Sequence, residues 1–225
     1  MPGKDDSLAD LSKRREEDDS FIEEEHKIAG MFWDELARMD PSEVCRRSLA
    51  SYNEAEKAYE LRLLTDELLV RPEKREIVRV SEPVSEGDLA PDFNTVLVAV
   101  HYLLRAKDEP IANEYITHSQ VTDGAFFFKG PHAVPSWRIE KKLGDNAAAF
   151  LEKGQLIGGE PVKFGDAAVE LLVLPRVRIA YVLWEGDDEF PARSQILFDA
   201  SAEKHFALDV LWAMCNLVTQ KLLNV

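Results

Sequence analysis

The sequence predicts an α+β fold, a single domain on antiparallel sheet with helices packed on its faces. Three observations predict it. Residues 59–80 alternate apolar and polar side chains between short turn signals, the pattern of a hairpin meander. The last third holds near-continuous apolar runs, Ala168 to Leu174 and Val177 to Trp184, as in strands covered on both sides. Stretches around 92–104 and 208–222 instead repeat apolar residues every three or four positions, the period of a buried helix face.

Residues 1–30 read as an acidic N-terminal extension, partly helical or disordered, ahead of a domain spanning 31–225. Over residues 1–27 Asp and Glu outnumber Lys and Arg ten to five, and Leu8, Leu11, Phe21 and Ile22 form no continuous helical face. Phe32, Trp33, Leu36 and Met39 then give a short amphipathic helix. Asp40-Pro41-Ser42-Glu43 supplies an N-cap and a proline at the first position of a helix reaching about Ser48. In the meander, Tyr59, Leu61 and Leu63 share one side, with Glu60, Arg62 and Leu64 on the other. Thr65-Asp66-Glu67 turns the chain, Leu68 to Arg71 returns, and Glu76 to Val80 follows a turn at Pro72 to Arg75.

Ser81 to Gly87 reads as a linker. Asp92 caps a helix with Phe93, Val96, Leu97, Val100 and Leu104 on its buried face and His101, a structural histidine, at the rim. Tyr115 to His118 and Ala125 to Phe128 are expected as short strands around Asp123-Gly124, with His118 and His132 flanking the aromatic patch. Pro135 to Leu143 is a helix stopped by Gly144, and Asp145 caps another to Lys153. Gly158-Gly159 is a turn and lacks the Lys-Ser/Thr of a phosphate loop. Pro175-Arg176 turns tightly between the two apolar strands. In the second of them Val177, Ile179, Tyr181 and Leu183 occupy one face, and Ala180, Val182 and Trp184 share the other with Arg178. Ile196 to Phe198 adds a strand. Leu208, Leu211, Trp212, Cys215, Val218 and Leu222 define the inner face of a terminal helix.

Charge and composition exclude several function classes. A formal charge of -15 disfavours nucleic acid and anionic membrane surfaces, which require clustered Lys and Arg. The 225 residues are 45% hydrophobic, enough for one substantial core, yet no window has the length of a membrane span. Cys45 and Cys215 stand far apart, so no Cys-ligated iron–sulfur cluster is expected. Charged residues open the chain where a signal peptide would be apolar, and a cytoplasmic location is expected.

The densest chemistry lies at Leu183-Trp184-Glu185-Gly186-Asp187-Asp188-Glu189-Phe190-Pro191. Crowded carboxylates at a strand end are a solvated turn, a ligand or partner contact, or a metal or acid/base site. Asp199 and His205 offer either an oriented base or a helix entry with its cap. If Glu185, Asp188 and His205 converge, they are the catalytic candidates and a possible metal set. The expected ligand or partner surface comprises Arg176, Trp184, Glu185, Asp187, Asp188, Glu189, Asp199 and His205.

The segments Leu174-Pro175-Arg176-Val177, Leu183 to Pro191 and Ile196-Leu197-Phe198-Asp199, followed by Ser201-Ala202 and His205, resemble an uncharacterised family of anaerobic bacteria and archaea, the domain of unknown function 3786. Weaker likeness runs upstream through Ala99 to Leu104 and the meander to Asp40-Pro41, covering about residues 31–225. Some relatives carry an added cysteine-rich iron–sulfur segment, which this chain lacks, and the family brings no established catalytic residues. The resemblance implies a cytoplasmic accessory or binding protein serving anaerobic cofactor or metalloenzyme metabolism, corrinoid or iron–sulfur related. Its partner would be a protein or a small cofactor-like ligand. An enzyme using the acidic loop with His205, and a structural subunit of a larger complex, are the alternatives.

Overall fold

The computed structural model describes residues 30–82 and 91–225. The expected acidic extension, apart from its last residue, and most of the expected linker lie outside the described residues. The chain forms an α+β domain with two antiparallel sheets. Helical residues 30–36 (α1) precede α2, Pro41–Ser48, which starts where the sequence places it: the Asp40 carboxylate accepts the Ser42 N–H at 3.0 Å and Pro41 needs no partner for its nitrogen. The first sheet runs in order β1 (Ser51–Asn53), β2 (Ala58–Leu63), β3 (Asp66–Arg71), β4 (Glu76–Arg79). The turn between β2 and β3 is Leu64-Thr65, so Asp66 is a strand residue rather than the expected turn residue. It is buried between Arg79 Nε at 3.3 Å and Lys221 Nζ at 3.1 Å, an arrangement that ties the sheet to the last helix.

Helix α3, Phe93–Arg105, begins at the predicted cap, with Asp92 accepting the Thr95 N–H. Its burial is wider than the single expected face. Val98, Ala99, Tyr102 and Leu103 are fully buried while Phe93 is exposed, because both α2 and the terminal helix pack against α3. After β5 (Tyr115–Thr117), the expected strand at 125–128 is instead a helical turn, α4, Gly124–Phe127. The helical turn lets adjacent phenylalanines both pack inward: Phe127 stacks on His132 with ring centres 4.7 Å apart, and Phe128 lies 6.1 Å from Phe198. A strand would have sent them to opposite faces. Helices α5 (Ser136–Leu143) and α6 (Ala147–Leu156) follow, the second capped by Asn146, one residue later than expected, through the Ala149 N–H.

The second sheet has the order β5, β9 (Arg193–Asp199), β8 (Val177–Trp184), β7 (Ala167–Leu174), β6 (Glu160–Pro161). β8 is central, as its apolar sequence requires. Its inner face, Val177, Ile179, Tyr181 and Leu183, joins Val169, Leu171 and Val173 in the core beneath α3, α6 and α8 (Leu208–Asn224). Tyr181 Oη bonds Thr219 Oγ1 at 2.8 Å, and Gly154 of α6 sits so close to Val169 that a Cβ there would lie 2.6 Å from its methyl group. Four-residue α7, Ala202–His205, links β9 to α8. The sheets meet where Leu64 N–H reaches the Val173 carbonyl at 2.9 Å. No helix among the described residues is long and apolar enough to cross a membrane.

Candidate functional site

The β8–β9 hairpin sorts the predicted residues to two ends of the second sheet. Trp184 pairs with Arg193 and Ile179 pairs with Phe198, so the acidic segment 185–189 tops one end. Arg176, Asp199 and α7 with His205 lie at the other. Seven strand steps separate Val177 from Trp184 by roughly 23 Å. The condition that Glu185 and Asp188 converge with His205 is therefore not met, and the expected single surface is corrected: Trp184, Glu185, Asp187, Asp188 and Glu189 lie at one end, Arg176, Asp199 and His205 at the other. An antiparallel hairpin returns the chain to the end it came from, and the helix that follows β9 must start there.

At the acidic end the carboxylates build the turn. Glu185 Oε1 accepts the Ala147 N–H at 2.7 Å, helping Asn146 cap α6. Asp187 Oδ1 accepts the N–H groups of Phe190 and Glu189 at 2.7 and 2.8 Å, and these bonds hold its carboxyl below the usual range. Gly186 N–H donates to the Gly144 carbonyl, fastening the loop beside α5. Asp188, Glu189 and Phe190 remain exposed at the tip, and the Arg193 guanidinium lies 5.2 Å from the centre of the Trp184 ring.

At the other end Asp199 and His205 do not bond each other. The buried Asp199 carboxylate accepts four bonds, from Ala112 N–H, Asn113 N–H, Ser201 N–H and Ser201 Oγ. Burial raises its carboxyl, but the Ser201 bonds and the two amides outweigh that and hold it low. His205 Nδ1 accepts the Lys107 N–H at 3.2 Å. Its neutral ring therefore carries the proton on Nε2. Burial, then the nearby Arg176 charge, lowers its pKa to about 4, so the imidazole is neutral near pH 7. Arg176 donates to the carbonyls of Arg47 and Glu109 and to Asp108, while its own N–H bonds Tyr102 Oη.

Between these ends runs the outer face of the sheet, on which Trp184 is an expected contact residue and Tyr115, Phe164, Glu170 and Arg178 are not. Ala168, Ala180 and Val182 are buried on it under one loop and one flat side chain. Residues 162–166 cross over β7 and β8, pinned by Val162 N–H to the Ala168 carbonyl and Asp166 N–H to that of Leu183. The crossing needs Gly165: φ is +56°, and a Cβ would lie 2.7 Å from the Leu183 carbonyl oxygen. Phe164 from this loop meets Tyr115 edge-on, ring centres 5.9 Å apart. Tyr115 reaches from the edge strand β5 to donate to Glu170 Oε2 on β7. Arg178 sits beside them, 3.5 Å from Glu170 Oε1 and bonded to Asn113 Oδ1 at 2.9 Å. Burial, reinforced by Glu170, raises the Tyr115 phenol well above its ordinary value and keeps it a donor.

The outer face thus offers half-exposed aromatics, Tyr115, Phe164 and Trp184, around a carboxylate–guanidinium pair, with Leu172 exposed at one margin. Such mixed aromatic and polar surfaces suit recognition of a partner or a flat ligand. The sequence signal for it was the pairing of Arg178 and Trp184 on one side of β8. Tyr115, Phe164 and Glu170 carry no local motif, because they meet only through strand pairing and the 162–166 crossing. Among the described residues no group of three or more His, Cys, Asp and Glu is placed to hold a metal ion.

Residues 40–221 match the family model described as Domain of unknown function (DUF3786). The chain belongs to this family. In this DUF3786 member the matched span starts at Asp40, the cap of α2, and contains both sheets and every residue of the two ends and the outer face. No curated protein and no solved structure matches the chain.

Proposed function

We propose that this DUF3786 protein is a non-catalytic accessory or binding protein of the cytoplasm, serving anaerobic cofactor or metalloenzyme metabolism of the corrinoid or iron–sulfur kind. The outer face of the second sheet, with its aromatic and charged cluster, is its contact surface. The observation that carries the reading is the partly exposed cluster of Tyr115, Phe164, Glu170 and Arg178 on the outer face of the second sheet, opposite the core-lining face of Val177, Ile179, Tyr181 and Leu183. The metabolic setting rests on the family resemblance. A binding role is favoured over acid/base chemistry because Glu185 is engaged in capping α6 and His205 in holding Lys107, a sheet's length apart.

Purification without oxygen, with elemental analysis and an absorption spectrum, tests whether a metal or corrinoid accompanies the protein. Amide-resolved NMR titrations with hydroxocobalamin and with a [4Fe–4S] ferredoxin then locate the contact. Saturable shifts centred on β5, β7 and β8, lost in Phe164→Asp, support the reading. Binding to neither probe, or shifts centred elsewhere, overturns it.

A further inference from the structure

The chain from the last turn of α3 to Asn113 is fastened by side chains at closely spaced residues. Arg47 Nη1 donates to the carbonyls of Ala106 and Leu104, His205 holds Lys107 N–H, and Arg176 Nη1 donates to the Glu109 carbonyl. In the middle of it, two guanidiniums grip one carboxylate. Arg176 Nη2 lies 2.5 Å from Asp108 Oδ1, and Arg46 Nη1 lies 2.5 Å from Oδ2. The partners differ in freedom. The Arg176 side chain is only 12% exposed and its Nε and Nη1 are committed to backbone carbonyls, whereas the Asp108 side chain is 50% exposed on a segment without helix or strand. Arg176 therefore keeps aiming Nη2 outward whether or not Asp108 is present.

Four cations, Arg46, Arg47, Arg176 and Lys204, gather here among the carboxylates Glu43, Asp108 and Glu109, with the buried Asp199 close by, in a chain whose net charge is -15. Two buried donors here, Arg47 Nη2 and His205 Nε2, have no hydrogen-bond partner. Donors fixed in place around an exposed carboxylate are the arrangement of an anion receptor.

We infer that Arg46 and Arg176 form a receptor for a phosphate group, and that Asp108 is a tethered carboxylate competing for it. A phosphate dianion between two guanidiniums gains more Coulomb energy than a single carboxylate does, and its oxygens accept both guanidiniums. A tethered competitor acts at an effective concentration in the millimolar range or above, on the order of that for short linkers. Free phosphate therefore binds the native chain weakly. A phosphorylated ligand with further contacts displaces Asp108 and frees the segment around it. The receptor lies at the Arg176 end of the sheet, so it stands or falls independently of the outer face.

The test is titration of the full chain with inorganic phosphate at constant ionic strength, followed by amide NMR, which also reports that each variant is folded. Asp108→Asn is expected to bind phosphate about tenfold more tightly than the native chain, with shifts on the amides of residues 46–47, 106–109 and 176. Adding Arg46→Gln, a half-exposed position, is expected to abolish that gain. The inference is overturned if Asp108→Asn binds no more tightly than the native chain, or if the double variant binds as tightly as Asp108→Asn. Equal affinity for acetate and phosphate in Asp108→Asn overturns the phosphate assignment.

Discussion

Replacing Asp199 by Ala removes the acceptor for four hydrogen bonds at a site with no exposure. Three orphaned backbone N–H groups and one hydroxyl remain, each costing roughly 1–3 kcal/mol if it stays dry. Allowing for partial hydration of Ala112 and Asn113, which are not fully buried, the loss is about 3–5 kcal/mol, a large share of a domain's stability. Asp199→Asn is milder. Its oxygen keeps the three Oδ1 bonds, while its NH2 faces the Asn113 N–H, donor against donor, for a loss of about 2 kcal/mol. The native carboxyl is held below its ordinary 3.8, so its stabilisation is present above that pH and is lost as pH falls through the lower folded value. Asp199→Asn lacks this titration. Urea unfolding followed by circular dichroism, with the slope unchanged, measures both effects. An Asp199→Ala protein within about 0.5 kcal/mol of native would refute the claim that this carboxylate organises the β5–β9 end.

Other substitutions probe other links. His205 is lowered from 6.5 to about 4, so the unfolded chain takes its proton first as pH falls. Stability is full above about pH 6.5 and declines toward pH 4 by about 3 kcal/mol, which His205→Gln should largely remove from a pH series of unfolding free energies; equal acid slopes would contradict it. Leu49 closes α2 in the left-handed region, φ 60°, with its side chain exposed, and Leu49→Gly should raise stability by about 0.5–1 kcal/mol in the same assay. Gly165→Ala should cost about 2–4 kcal/mol and unseat Phe164 from Tyr115, seen as loss of ring-current shifts between them; a neutral variant would mean the crossing loop is not held as described.

What the sequence determined by itself was whatever depends on neighbours a few residues apart. Asp40 with Pro41 and Asp92 with Thr95 fix helix starts through bonds closed within three residues, and the alternation at Tyr59, Leu61 and Leu63 fixes which side of β2 is buried. The nearly continuous apolar run of β8, broken only by Arg178, likewise announced a central strand. Helical turn α4 and the buried Asp66 were not legible. Phe127 and Phe128 choose a helix because His132 and Phe198 wait on one side, and Asp66 is solvated by cations from β4 and α8. The same holds for the site. Proximity in sequence joined the acidic loop to His205, but strand direction parts them. Tyr115, Glu170, Arg178 and Phe164 are spread over 64 positions, and only the pairing of β5, β9, β8 and β7 brings them onto one face. Contacts of that separation are set by packing the whole core at once, and no local pattern encodes them.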